Sequence, residues 1–294
     1  MTDQVLEAVA RAACAAVGLT VTDLTVIKVS ENAIYRLPRQ RVVVRVAQPG
    51  QRAAAERELL IADWLRRVDV PAVEPAAMST NFVMVDDRPV TFWKELPEHR
   101  GGTATEIATA LRGLHALDPP PFLAEVDPFV RLEQRIEAAV TLPADDRRWL
   151  QQRLAHLREA WPARPEGLPW GPIHGDAWEG NVVTTEGGST LFLDLERASI
   201  GPPEWDLTST AIKYSSFGWI TSQRYAEFVA AYGYDVTEWS GFRLLREIRE
   251  MRMTCMAAQA AAKEPARLGQ ARLRVDSLRG RRGPRPWGGW EAIP

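Results

Sequence analysis

Cysteine is scarce in this chain: 294 residues hold two, Cys14 and Cys255. Two distant thiols supply neither a disulfide framework nor a zinc-ligand spacing, and each reads as a small buried hydrophobe of a reducing compartment. Long apolar runs are missing too, since nothing approaches the ~20 residues that cross a bilayer. The first helical stretch carries Asp3, Glu7 and Arg11 and lacks the basic start of a secretory signal, so a cytoplasmic protein without a membrane partner is expected. Excess charge of one sign is also absent: 36 Lys and Arg stand against 38 Asp and Glu. That balance argues against the broad basic surface that replaces counterions on a nucleic acid. The expected partners are small molecules.

What is present is a change of texture along the chain. Residues 3–17 read as a helix, followed by short β-branched runs at 24–29, 33–37 and 41–47 whose alternation predicts strands. Residues 53–68 place Leu59, Leu60, Trp64 and Leu65 at helical spacing before Pro71. Two further strands are expected at 81–85 and 89–96, which makes a small α+β lobe with a five-stranded, largely antiparallel sheet. Pro97, Gly101 and Gly102 then punctuate the chain, and a hinge near 96–102 is expected. Domains at 1–97 and 98–294 follow, the second mainly helical, with helices at 105–117, 129–139 and 144–161 and several more from Trp205 to about Arg279. Within it, "NVVTTEGGSTLFLDLE" reads as a hairpin turning at Glu186–Ser189. The tail after 279 is rich in Gly, Pro and Arg, which suggests a surface-lying segment pinned by Trp287 and Trp290. The basic residues from Lys263 to Arg285 read as a solvated face, and Met251, Met253 and Met256 as helix core.

The segment "IHGDAWEGNVV" (173–183) concentrates His174, Asp176 and Asn181 between apolar residues. Buried polar groups without partners are costly, so a loop at a cleft is the economical reading. A hairpin brings its ends together, letting Asn181 and Asp194 converge while Asp176 hangs from the preceding loop. One neutral and one anionic oxygen ligand suit Mg²⁺, which takes one or two protein ligands together with waters and substrate phosphates. Asp176 is left to orient or deprotonate a hydroxyl. A lone His beside Ile173 is more often a hydrogen-bonded core residue than an acid or base. A metal-dependent hydrolase built on His174, Asp176 and Asp194 is the weaker reading, because no second His lies near them in sequence.

"HGDAWEGN" followed by "FLDLE" resembles the catalytic and metal-binding segments of the aminoglycoside phosphotransferase-like kinases, small-molecule cousins of the protein kinases. The resemblance spans roughly 25–260 and is strongest at 171–207. It implies a bilobal protein-kinase-like fold and transfer of the γ-phosphate of ATP or GTP to a hydroxyl of a small polar molecule: an aminoglycoside or other antibiotic, an aminosugar or a choline-like alcohol. By this resemblance Asp176 would be the base, Asn181 and Asp194 the Mg²⁺ ligands, and His174 a support of the loop. In "GPPEWDL" (201–207), Asp206 would brace the loop through its backbone. In the sheet lobe, Ser30 and Asn32 of "VSENAIYRL" would cover phosphates, and Arg45 stands where the family usually has Lys, with Glu58, or alternatively Glu56, as its partner. Arg keeps the charge but changes the geometry of phosphate contact. The base edge of the nucleotide would meet the backbone near Glu95 and Leu96. Arg45 also motivates a nucleotide-binding pseudokinase or scaffold without turnover. Glu179, Glu196, Glu247 and Glu250 are unranked candidates for substrate recognition, and the mixture of Arg with Glu along 242–263 tempers a polycationic substrate.

Overall fold

The computed structural model describes residues 3–29 and 32–292. The chain forms two compact units. One runs to Thr103 and takes in Glu179–Ala198, and the other comprises Ala104–Trp178 and the chain from Ser199 onward.

The first unit opens with helix α1 (Asp3–Ala16), then strands β1 (Thr25–Val29), β2 (Ala33–Leu37) and β3 (Val42–Val46), helix α2 (Arg52–Arg67), and strands β4 (Phe82–Val85) and β5 (Arg88–Lys94). The five strands form one antiparallel sheet in the order β1-β2-β3-β5-β4, as the alternation predicts. On β3, Val42, Val44 and Val46 are buried. They join Tyr35, Leu37, Val90 and Phe92 and the apolar stripe Leu6, Val9, Ala10, Ala13 and Cys14 of α1 in one core. Because side chains alternate across a strand, Val43 and Arg45 face the other side of the sheet. Burial pushes the Cys14 thiol up to about 11, so it is inert, as a core residue should be.

A three-residue strand, β6 (His99–Gly101), lies where the sequence suggests only a hinge. In chain order the second unit then supplies α3 (Ala104–His115), α4 (Leu132–Glu137), α5 (Ala144–Ala160) and β7 (Gly171–Ile173). The predicted hairpin follows as β8 (Val182–Thr185) and β9 (Thr190–Phe192), its turn closed by Thr185 N–H on Ser189 O at 3.0 Å and Gly188 N–H on Thr185 O at 2.9 Å. β6 pairs with β8, and Val73 N–H donates to Phe192 O at 2.9 Å, which fastens the hairpin to the first unit.

The second unit continues with β10 (Ser199–Gly201), paired to β7, and with α6 (Glu204–Ser215), α7 (Ser222–Tyr232), α8 (Phe242–Lys263) and α9 (Leu268–Leu278). Its core gathers Leu150, Leu154 and Leu157 of α5, Trp205 of α6, Leu245, Ile248, Met251 and Cys255 of α8, and Val275 of α9, each set at the spacing of one helix face. α4 is shorter than expected because Arg131 adopts a left-handed φ of 62°, which a helix cannot propagate through. Met251 is core, but Met256 is 41% exposed, so the methionines are not one stripe. Among the described residues no helix is long and apolar enough to cross a membrane.

The tail departs from a purely solvated face. Trp287 and Trp290 stack and pack on Ile212 and Phe217. Arg285 reaches the fully buried Glu250 through two bonds of 2.7 and 2.6 Å, and Ser216 Oγ donates to the same carboxylate at 2.7 Å. Arg274, 2% exposed, donates to Met253 O and Glu291 O.

Candidate active site

In the second unit, β7 leads into the loop that carries His174 and Asp176. Gly175 there has φ of 82°, a left-handed turn that glycine takes without strain. Asp206, in the first turn of α6 and fully buried, accepts from His174 N–H at 2.7 Å and Gly175 N–H at 2.8 Å. His115 Nε2 of α3 donates to Asp206 at 3.2 Å and its Nδ1 lies 2.9 Å from the Tyr232 hydroxyl. Burial alone raises a carboxylic acid, but the His115 bond and the charges of His115, His174 and Arg249 outweigh it and hold Asp206 below the usual range.

The carbonyl of Gly175 is gripped as well. It accepts from Trp205 Nε1 at 3.1 Å and from Arg249 Nη2 at 3.2 Å, and the same Arg249 nitrogen donates to Trp205 O at 2.8 Å. The Arg249 guanidinium lies 4.1 Å over the Trp205 ring, with Nη1 3.8 Å from Asp176 Oδ1. His174, 1% exposed, accepts from Asp176 N–H through Nδ1 at 3.3 Å. The outcome is one half-exposed carboxylate, Asp176, on a loop whose backbone is clamped from α6 and α8, with His115 of α3 holding Asp206.

In the first unit, Leu193 N–H donates to Asn181 O at 2.8 Å, so the hairpin sets Asn181 directly across from the residue preceding Asp194. Asp194 has a left-handed φ of 52°, a conformation tolerated best by Asn and Asp among residues with a side chain, and its side chain is 48% exposed. A carboxamide and an exposed carboxylate brought to the same end of the hairpin are hard-oxygen donors of the type magnesium accepts, so the residues fit that ion. Among the described residues no group of three or more His, Cys, Asp and Glu is arranged to hold a metal alone.

Arg45 is the centre of a second cluster in this unit. Its Nη1 bonds both oxygens of Glu58 at 2.5 and 2.6 Å, and Nη2 lies 3.3 Å from Glu196 and 3.5 Å from Asp194. With its amide oxygen turned inward, Asn32 accepts from Arg45 Nε at 3.1 Å and Nη2 at 2.7 Å. Burial works against the Arg45 charge, but three carboxylates outweigh it and hold the guanidinium firmly protonated. Glu58, the most buried of them, takes the opposite consequence: desolvation, only partly offset by Arg45, pushes it up to about 7. Glu56 instead bonds Arg52 at the surface. Arg57 Nη2 donates to Glu196 O at 2.8 Å.

Ser30 lies outside the described residues. Glu95 follows β5, where its N–H donates to Arg41 O at 2.9 Å and its carboxylate pairs with Arg36 at 2.5 Å; Leu96 is the next residue, half-buried. Glu247 is tied to Arg153 and Arg243 and Glu250 to the tail, so neither reads as a ligand contact. Sequence reasoning missed Arg249 and His115. Arg249 had a signal: it stands four residues after Leu245, on the apolar face of α8, where a charge needs a buried partner.

A family model for the phosphotransferase enzyme family matches residues 26–245. The chain belongs to that family. Three solved structures share the fold of this family member at low identity. The aminoglycoside phosphotransferase APH(3'')-Id of Streptomyces rimosus is 21% identical with a TM-score of 0.63, covering 84% of this chain and 98% of that one. A choline/ethanolamine kinase family protein of Mesorhizobium loti is 19% identical with a TM-score of 0.61, covering 94% of each. The amicoumacin kinase hAmiN, in complex with AMP-PNP and Ca²⁺, is 12% identical with a TM-score of 0.68, covering 94% of each. No curated protein matches the chain. The five-stranded antiparallel sheet and the mainly helical second unit are thus those of the protein-kinase-like small-molecule phosphotransferases.

Proposed function

We propose that the chain transfers the γ-phosphate of ATP or GTP to a hydroxyl of a small polar molecule, with Asp176 as the base. The observation that carries this reading is the clamp on the Asp176 loop. Asp206 fixes the backbone N–H groups of His174 and Gly175, while Trp205 and Arg249 fix the Gly175 carbonyl. A base must be held within hydrogen-bond reach of the proton it accepts, and rigid anchoring of the backbone with an exposed carboxylate meets that need. Phosphoryl transfer depends on positioning and on charge neutralisation more than on covalent chemistry. Asn181 and Asp194 would hold Mg²⁺, which supplies neutralisation of the nucleotide phosphates.

Arg45 takes the role of the family's nucleotide-contacting Lys. Nη1 is held by both oxygens of Glu58 and the Nε and Nη2 edge by Asn32, so the charge is held in place. The backbone beside Glu95 and Leu96 is the proposed seat of the base edge. The acceptor classes suggested by the family are an aminoglycoside or other antibiotic, an aminosugar or a choline-like alcohol, and the cytoplasm is the expected compartment. The test is transfer from Mg·ATP to a panel of hydroxylated acceptors, with Asp176→Asn as control. Turnover in the wild type and its loss in the variant is the expected result. No transfer to any acceptor by the wild type, with background ATP hydrolysis equal in both proteins, sinks the reading and leaves nucleotide binding without transfer, which the salt bridges from Arg45 to Glu196 and Asp194 would then explain.

A further inference from the structure

In the first unit one side chain of helix α2 reaches the backbone beside Asp194. Arg57 Nη2 donates to Glu196 O at 2.8 Å, and Arg57 Nε is buried without a partner. That carbonyl belongs to a single 3₁₀ turn, Leu195–Arg197, which Asp194 opens with φ of 52° and ψ of 67°. A non-glycine residue in the left-handed region is held there at a conformational cost and persists where its surroundings over-determine it. Two anchors bracket Asp194. Before it, Leu193 N–H donates to Asn181 O of the hairpin at 2.8 Å; after it, the turn is held by Leu195, 1% exposed, and by Arg57. The neighbour of Arg57 on α2, Glu58, bonds Arg45 through both oxygens, and Arg45 Nη2 stands 3.5 Å from the Asp194 carboxylate. One helix therefore reaches Asp194 by two routes, through Arg45 to its side chain and through Glu196 O to its backbone.

We propose that Arg57 is a positioning residue of the metal site: by holding Glu196 O it fixes the left-handed backbone at Asp194, and with it the placement of the Asp194 carboxylate. This inference rests on Asp194 being a Mg²⁺ ligand of the proposed transfer. Among the described residues the Asp194 carboxylate has an ion pair at 3.5 Å and no shorter polar contact, so its backbone decides where it stands. A guanidinium suits the task because a charge-assisted hydrogen bond to a carbonyl oxygen is stronger than a neutral one. Groups that support a metal ligand in this way contribute about 10–100-fold to metal affinity.

The test uses Mn²⁺, which shares the oxygen-ligand preference of Mg²⁺, titrated into the full chain with ADP present and followed by the enhancement of water-proton relaxation. ADP affinity in EDTA is measured in parallel. Arg57→Met keeps the length of the side chain without its donor and should weaken Mn²⁺ binding by about 10-fold or more, with a far smaller change in ADP affinity in EDTA. Arg57→Lys, which retains a charged donor, should recover most of the loss. Arg52→Ala, on the same helix but paired with Glu56 at the surface, should match the wild type. If Arg57→Met does not fold, Arg57→Gln, whose amide falls short of Glu196 O, takes its place with the same expected loss. Mn²⁺ binding equal to the wild type in the donor-deficient variant, equal weakening of Mn²⁺ and of ADP in EDTA, or no recovery in Arg57→Lys overturns the proposal. Asp194→Asn separates the two levels. If it binds Mn²⁺ as the wild type does, the ligand role of Asp194 fails and the inference with it; if it loses Mn²⁺ while Arg57→Met does not, the inference alone fails.

Discussion

Replacing Asp206 by Asn perturbs the brace under the Asp176 loop with almost no change of volume. The carboxylate is fully buried and accepts from His174 N–H, Gly175 N–H and His115 Nε2 at 2.7, 2.8 and 3.2 Å. An amide offers one oxygen and one NH₂, so at least one of these donors faces another donor. A hydrogen bond to a charged group contributes about 1.5–3 kcal/mol, and breaking a buried charged network costs about 3–5 kcal/mol. At roughly 2–4 °C per kcal/mol for a unit of this size, the melting temperature of the second unit should fall by about 6–20 °C. The pH profile supplies an independent check. Because the folded Asp206 is held below the ordinary carboxylate range, its contribution is present above the unfolded pKa and is lost as pH falls through the lowered folded value. Scanning calorimetry from pH 3 to 7 should therefore show a shallower acid limb in Asp206→Asn. A drop under about 2 °C, with the acid limb unchanged, would refute the brace.

Three further outcomes follow from buried groups. Glu58, raised to about 7 in the fold from an ordinary 4.5, binds more protons folded than unfolded in that window. Stability should decline by on the order of 3 kcal/mol as pH rises through it, and Glu58→Gln should flatten that slope in urea titrations. Arg285→Ala strips the bidentate partner from buried Glu250 and should cost about 3–5 kcal/mol, read as a lower denaturation midpoint; Glu250→Gln in the same chain should recover part of it. At Gly201 a methyl group would stand 2.6 Å from Ile173 Cδ1 and 2.9 Å from Val126 Cγ1, so Gly201→Ala should lose about 1–3 kcal/mol by overpacking, whereas Gly113→Ala, with open space at that site, should not destabilise the chain.

The strands and long helices were legible because alternation on β2 and β3 and the Leu150, Leu154, Leu157 spacing of α5 each bury one face. The three-residue strands β6 and β10 were not, since three residues carry no period. The hairpin was readable from its turn, but its attachment to the first unit through β6 and Val73 depends on contacts across roughly 80–120 residues of chain. In the candidate site, Asp176, Asn181 and Asp194 stand in one short stretch with a recognisable pattern. Their supports do not: His115 and Arg249 come from two separate helices, and only folding brings His115 to Asp206. The role of Arg285 was hidden for the same reason, since its partner Glu250 sits 35 residues upstream.

In the proposed reaction Asp176 takes the proton of an acceptor hydroxyl as phosphate moves to it. The direct measurement is ³¹P NMR of ATP, Mg²⁺ and the acceptor panel with wild type and with Asp176→Asn of verified fold. A new phosphate-ester resonance growing with ADP is expected in the wild type, slowed about 10²–10⁴-fold in the variant, the range general-base catalysis supplies. Phosphate-ester formation at the same rate in both proteins would contradict it.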